Sequence, residues 1–272
     1  KKEKKKEKKE YKSKEEFIED GNYEKVEGFM NILHETEKDK YYLIIEKNKL
    51  NKEFIYFTYI LNGPQAVGAS GGSLGEGYIL EFRKFKDDIG LYKINTKFTY
   101  DEPNKITQSK LTNIIEAFMG RFKVEVKEEN RFLISADKLF LSEILTSVTP
   151  NIPREYEEYY DLNLGKLDKE KTYIADIRNY PKNTAVEINY GFFNAKPKPS
   201  ASVDAVADKR YTFISARHLF VEMPDDEFEP RVADQRVGYF SQKVTDLSTY
   251  DTYPARDLMN RWRLEKKNPN DE

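Results

Sequence analysis

The chain has 272 residues, with 46 basic and 48 acidic side chains and a formal charge of -2, so it offers no global attraction for nucleic acid or an anionic membrane. Zero cysteines exclude disulfides, thiolate zinc sites and cysteine nucleophiles. The mean hydropathy of -0.81 is polar, yet 19 Tyr and 17 Phe supply amphipathic packing surface and favour β structure.

Such a length buries a substantial core, as one large domain or two small lobes. No run of about 18 apolar residues occurs, so no membrane-spanning helix is expected. The chain opens on Lys1 with neither an initiator Met nor a signal peptide, the expectation for a processed or trimmed N-terminus.

Lys1 to Glu16 are almost all Lys and Glu, which predicts a charged, disordered tail linking an export signal to the folded body. Phe17 to Gly28 reads as a short helix or turn region, and strands begin at Gly28 to Leu33. Tyr41–Glu46 and Glu53–Ile60 are apolar on both faces, which predicts strands covered on both sides, with Asn48 to Asn51 turning between them. Glycines crowd Gly63 to Gly77, but no Gly-Lys-Ser/Thr and no GxGxxG follows, so a mobile β–β connection is expected rather than a phosphate loop.

Tyr78 to Phe85 alternates, with Tyr78, Leu80 and Phe82 opposing Glu81 and Arg83. Leu91 to Tyr100 repeats the pattern, and Asp87 to Gly90 supplies the turn of a hairpin. Leu111, Ile114, Ile115 and Phe118 stand at helical spacing, predicting a helix over Ser109 to Met119. A second hairpin follows over Phe122 to Ser135, then a short helix over Leu139 to Leu145 capped by Ser135 or Asp137. Pro150 to Asp161 is an acidic, tyrosine-rich loop. Thr172–Arg178, Ala185–Phe193 and Arg210–Met223 are strands, with Val186, Ile188 and Tyr190 on one face and a polar loop over Lys196 to Asp208.

Catalytic zinc needs convergent imidazoles and carboxylates, and only His34 and His218 are available. His34-Glu35-Thr36-Glu37-Lys38 begins like His-Glu-x-x-His but places Lys at the second ligand, so His34 reads as a loop histidine beside an acidic turn. His218 has no serine and aspartate assignable by spacing; a triad converging from distant positions stays open, with no Gly-x-Ser-x-Gly to support it. The carboxylates Asp87-Asp88, Glu157-Glu158 and Asp225-Asp226-Glu227 all read as solvated turns.

The most distinctive residues come last. Pro230, Arg231, Asp234, Arg236, Val237, Gly238, Tyr239 and Phe240 are followed by Arg261-Trp262-Arg263-Leu264-Glu265. This pattern resembles the N-terminal region of bacterial secreted zinc-dependent metallopeptidases, which carry long stretches of uncharacterised function before a His-Glu-x-x-His domain. Lys40–Ile45, Tyr78–Phe85, Leu139–Leu141 and Tyr180–Val186 look similar too.

The resemblance implies a non-catalytic, accessory or pro-region-like module, secreted or periplasmic, of a parent zinc peptidase. No cofactor is expected in this chain, with zinc expected in a peptidase domain absent from it. The implied partners are that domain and a peptide or protein substrate, with no nucleic acid. Arg231, Asp234, Arg236, Tyr239, Arg261, Trp262 and Arg263 are the candidate docking arm: arginines for bidentate carboxylate contacts, rings as anchors. Bracing of the module from within is the alternative role for the same residues. The alternative function is a free-standing envelope protein that holds a glycan or peptide.

The fold expected is mainly β (α+β), with antiparallel sheets or partial barrels, a few short helices and an extended C-terminal arm. The expected organisation is a tail over 1–16, a β lobe over 17–100, a second lobe with short helices over 101–224 and an arm over 225–272.

Overall fold

The computed structural model describes residues 23–75, 77–100, 113–127, 129–150, 152–199, 203–224, 230–248 and 252–262. The expected tail and the turn at Asp225 to Glu227 lie outside them. The chain is mainly β, in antiparallel sheets that include a curled half-barrel. It divides into two compact units, one from residues up to Lys93 and Phe118–Glu222, the other from Ile94–Ala117 and Met223 onward.

The larger unit holds two sheets. Strands β1 (Tyr23–Val26), β2 (Asn31–Glu35), β3 (Lys40–Glu46), β10 (Arg131–Ser135) and β9 (Val124–Lys127) lie side by side in that order. The second sheet runs β11 (Lys166–Tyr180), β12 (Asn183–Phe193), β13 (Tyr211–Glu222), β4 (Glu53–Asn62), β5 (Tyr78–Phe85), β6 (Asp88–Lys93), β8 (Ala117–Phe122). It therefore draws strands from both sides of Asp101, where the sequence suggests a lobe boundary. The residues expected as helix or turn over Phe17 to Gly28 include strand β1.

Alternation decides which face is buried. Val186, Ile188, Tyr190 and Phe192 of β12 point inward with Ile214, Ala216 and Phe220 of β13, and meet Ile32, Leu43 and Ile45 of the first sheet in one core. Burying side chains of this size stabilises by about 1.5–3 kcal/mol each. β3 is covered on both faces: Leu43 and Ile45 join that core, while Ile44 packs with Leu33, Val126 and Leu133 in a second cluster.

A polar clamp joins the two sheets. The Asn179 side-chain amide donates to the carbonyls of Val26 (3.0 Å) and Met30 (2.5 Å) and accepts from Thr184 (2.6 Å), whose hydroxyl also receives the Met30 N–H at 3.0 Å. Gly28 is required beside it, because a Cβ there would lie 2.2 Å from Asn179 Oδ1.

Several local expectations shift. The β5–β6 hairpin pairs Phe85 with Asp88, so its turn is Lys86-Asp87, with Lys86 at φ 56°. Asp88 enters the strand instead, where burial pushes its carboxyl up but the hydrogen bonds from Arg121 Nε (2.5 Å) and Val124 N–H (3.2 Å) outweigh that and hold it below the usual range. Of the helix expected over Ser109 to Met119, residues 109–112 lie outside the described set, and Ala117 to Met119 belong to strand β8. There Phe118 stacks on Phe85 at 5.0 Å, a long-range contact that overrides helical spacing.

The short helix is α1 (Asp137–Phe140), and no side chain caps it; Asp137 Oδ1 instead accepts the Tyr41 N–H at 3.0 Å. The glycine-rich connection is tied to β4 by backbone bonds from Gly72 to Ile60, Ile60 to Ser73 and Gly75 to Thr58. It continues the sheet beyond the last paired residue of β5.

The smaller unit is a three-stranded sheet ordered β15 (Ala255–Met259), β14 (Ser241–Asp246), β7 (Phe98–Thr99), with β14 and β7 parallel. The segment expected as an extended arm therefore carries a hairpin.

Candidate functional site

The candidate arm is organised by the β14–β15 hairpin. Ser241 pairs with Met259 and Gln242 with Leu258. On the far side of β15 Val232 bridges Leu258, with Met259 N–H donating to the Arg231 carbonyl and Ala233 N–H to the Asp257 carbonyl, both strong contacts of 2.7–2.8 Å. Because partners in register share a face, Val232, Leu258 and Gln242 lie on one side of this sheet.

This unit leaves large rings in solvent: Phe240 is 87 % exposed, Trp262 83 % and Tyr239 62 %. Arg231 and Arg261 are exposed as well, and Arg263 lies outside the described residues. Arg236 serves Asp234, donating through Nε at 2.9 Å and Nη2 at 2.5 Å, and its backbone N–H also reaches Asp234 Oδ1 at 2.9 Å. Those bonds hold the Asp234 carboxyl down at about 2. Of the sequence-derived set, the Asp234–Arg236 pair braces the turn internally while the rings face outward.

The histidines occupy different settings. His34 is on strand β2, not in a loop, stacked on Tyr41 at 4.2 Å with its Nε2 2.9 Å from Asp39 Oδ1 and its Nδ1 4.0 Å from Glu24. Among the described residues no three His, Asp or Glu side chains are grouped to hold a metal ion.

His218 lies within β13, fully buried. Its Nδ1 is 2.8 Å from the Tyr56 hydroxyl and its Nε2 2.8 Å from the Tyr190 hydroxyl. Tyr190 donates onward to the Phe140 carbonyl at 3.3 Å. Every proton then has an acceptor if Tyr56 donates to Nδ1 and Nε2–H donates to Tyr190, with a neutral imidazole between. Burial pushes the imidazole down to about 3 and both phenols up, so the chain of groups stays uncharged. With both ring nitrogens engaged by tyrosines, His218 acts as a core connector that links β4, β13, β12 and α1.

A cleft of about 210 Å³ beside the turn at residues 154–159 is lined by apolar Val67, Leu162 and Leu164 and by polar Glu157, Tyr160 and Asn163. Lys198 there donates to the carbonyls of Glu157 and of Tyr160, the latter at 3.1 Å, and latches that turn.

Compared with known families, residues 71–267 match the model of a domain of unknown function, DUF5117. The chain belongs to the DUF5117 family. The match takes in the hairpin β14–β15 and the exposed rings of the arm, and it begins inside the glycine-rich connection, so β1 to β4 of this DUF5117 chain precede it. No characterised protein and no solved structure matches the chain.

Sequence reasoning missed the outer face of the seven-stranded sheet. Tyr173, Phe193, Tyr211 and Phe213 are 38–48 % exposed there. Their alternation with Ile188, Tyr190, Ile214 and Ala216 was the available signal, but apolar residues on both faces hide which one is covered.

Proposed function

We propose that this chain is the non-catalytic, accessory or pro-region-like N-terminal module of a secreted zinc-dependent metallopeptidase, and that it packs on or assists the peptidase domain through its C-terminal hairpin unit. The observation that carries the reading is the outward display of Phe240, Trp262 and Tyr239 on a small sheet braced by its own Asp234–Arg236 pair. Large exposed rings beside arginines are the composition of interface anchors. The resemblance of Pro230 to Phe240 and of the Arg261-Trp262-Arg263 block to the region preceding such peptidase domains points to the same partner. Zinc and the water-activating base belong, in this reading, to that partner.

Extending the gene downstream and co-purifying the two parts tests it. An in-frame His-Glu-x-x-His domain that binds this chain, with binding lost in Phe240→Ala/Trp262→Ala, is the expected result. A stop codon after Glu272, or a downstream peptidase domain that does not bind this chain, overturns it.

A further inference from the structure

Separately from the docking unit, we infer that the cleft beside the turn at residues 154–159 is a binding site for a free aliphatic α-amino acid of leucine's size. Its walls are fixed by the chain's own hydrogen bonds. Lys198 Nζ donates to the carbonyls of Glu157 and Tyr160, Asn194 Nδ2 donates to the Asn163 carbonyl at 2.8 Å, and Asn163 Oδ1 accepts the Gly165 N–H at 2.9 Å. Gly165 is required in that wall: it sits at φ 80°, and a Cβ there would lie 2.3 Å from the Phe193 carbonyl oxygen.

The bracing leaves polar groups at the cleft unused. An ammonium has three N–H donors, and Lys198 uses two of them on carbonyls. Among the described residues, the Glu157 carboxylate, the Tyr160 hydroxyl and Asn163 Nδ2 make no hydrogen bond or ion pair, and Lys198 and Glu157 do not pair with each other. Yet the two charges are neighbours, because the Lys198 ammonium rests on the backbone carbonyl of Glu157 itself.

This arrangement selects the ligand by charge. An acid without an amine would face the Glu157 carboxylate, and an amine without an acid would face Lys198. A zwitterion satisfies both: its carboxylate takes the spare Lys198 N–H in a charge-assisted bond, and its ammonium faces Glu157. Because both protein charges lie within the span of one residue, the ligand's two charges must be equally close, as they are on the single α-carbon of a free amino acid.

Size and lining narrow the class. Val67, Leu162 and Leu164 supply an aliphatic surface, which suits a branched hydrocarbon side chain. A volume of about 210 Å³ is below the roughly 300–1,000 Å³ of sites for drug-sized ligands, which favours one amino acid over a peptide.

The test is calorimetric titration of the full chain with L-leucine, N-acetyl-L-leucine and L-leucinamide. Leucine is expected to bind saturably, and the two analogues, each lacking one of its charges, at least tenfold more weakly. Glu157→Gln is expected to weaken leucine tenfold or more, whereas Glu158→Gln, in the same turn but outside the cleft lining, leaves it unchanged. Neither carboxylate makes an internal bond among the described residues, so both variants keep the fold, which circular dichroism checks. The inference is overturned if leucine does not bind, if either analogue binds as tightly as leucine, or if Glu157→Gln and Glu158→Gln act alike.

Discussion

At His218 the protein commits a titratable side chain to a fully buried site, and the two flanking tyrosines make that tolerable. Replacing the imidazole by an apolar ring would take away the partner of the buried Tyr56 hydroxyl and leave Tyr190 only its 3.3 Å bond to the Phe140 carbonyl, and a buried hydroxyl that loses its partner costs about 1–3 kcal/mol. His218→Phe is therefore expected to destabilise by about 1–3 kcal/mol in urea unfolding. Adding Tyr56→Phe and Tyr190→Phe should recover part of that loss, because the stranded groups are then gone. The pH dependence has a definite sign. The folded imidazole titrates at about 3 against an ordinary 6.5, so in that interval the unfolded chain binds a proton that the folded chain refuses. Its contribution is complete above pH 6.5 and is lost as pH falls towards 3, by on the order of a few kcal/mol. His218→Gln keeps a donor and an acceptor but cannot titrate, and its stability should fall less steeply over the same interval. An unchanged slope would show that His218 is not the group responsible.

Among the elements, hairpins were the most legible in sequence and turns the least. Alternation located β5, β9, β10, β12 and β13, because one covered face imposes a period of two. The β5–β6 turn was misplaced because Asp88 looks like turn chemistry, while its buried bond to Arg121 of β8 depends on a contact 33 residues away. Phe118 misled for the same reason: its partners Phe85 and Tyr92 are distant in sequence. Of the candidate site, the arm's composition was legible and its hairpin pairing was not. The Asn179 clamp was also invisible, since nothing local links Asn179 to Val26 and Met30. It yields a sharp expectation. Gly28→Ala should cost about 1–3 kcal/mol, and less in an Asn179→Ala background, where the amide that a Cβ would strike is gone. Thermal melts of the double-mutant cycle should give coupling of at least about 0.5 kcal/mol; additive costs would mean the two residues do not conflict.

For the whole molecule, the family match and the folded unit have different limits. The match begins at residue 71, yet β4 lies between β13 and β5 and is hydrogen-bonded to both. β3 likewise pairs β10. A chain starting at residue 71 loses the middle strand of its larger sheet and strands β1 to β3 of the other, so it should fail to unfold cooperatively, whereas one starting at Tyr23 should retain the full transition. A cooperative melt from the shorter chain would contradict the sheet order. The docking account makes its claim at this scale as well, and the sequence supplies a probe. Trp262 is the single tryptophan and is 83 % exposed, so the chain's indole fluorescence reports on the proposed interface alone. The decisive measurement titrates this chain with the downstream peptidase domain, made free of tryptophan or with its own signal subtracted. The account predicts solvent-exposed emission from the chain alone and a saturable blue shift on mixing; emission that is already blue-shifted in the free chain, or that stays unchanged at saturating partner, would contradict it.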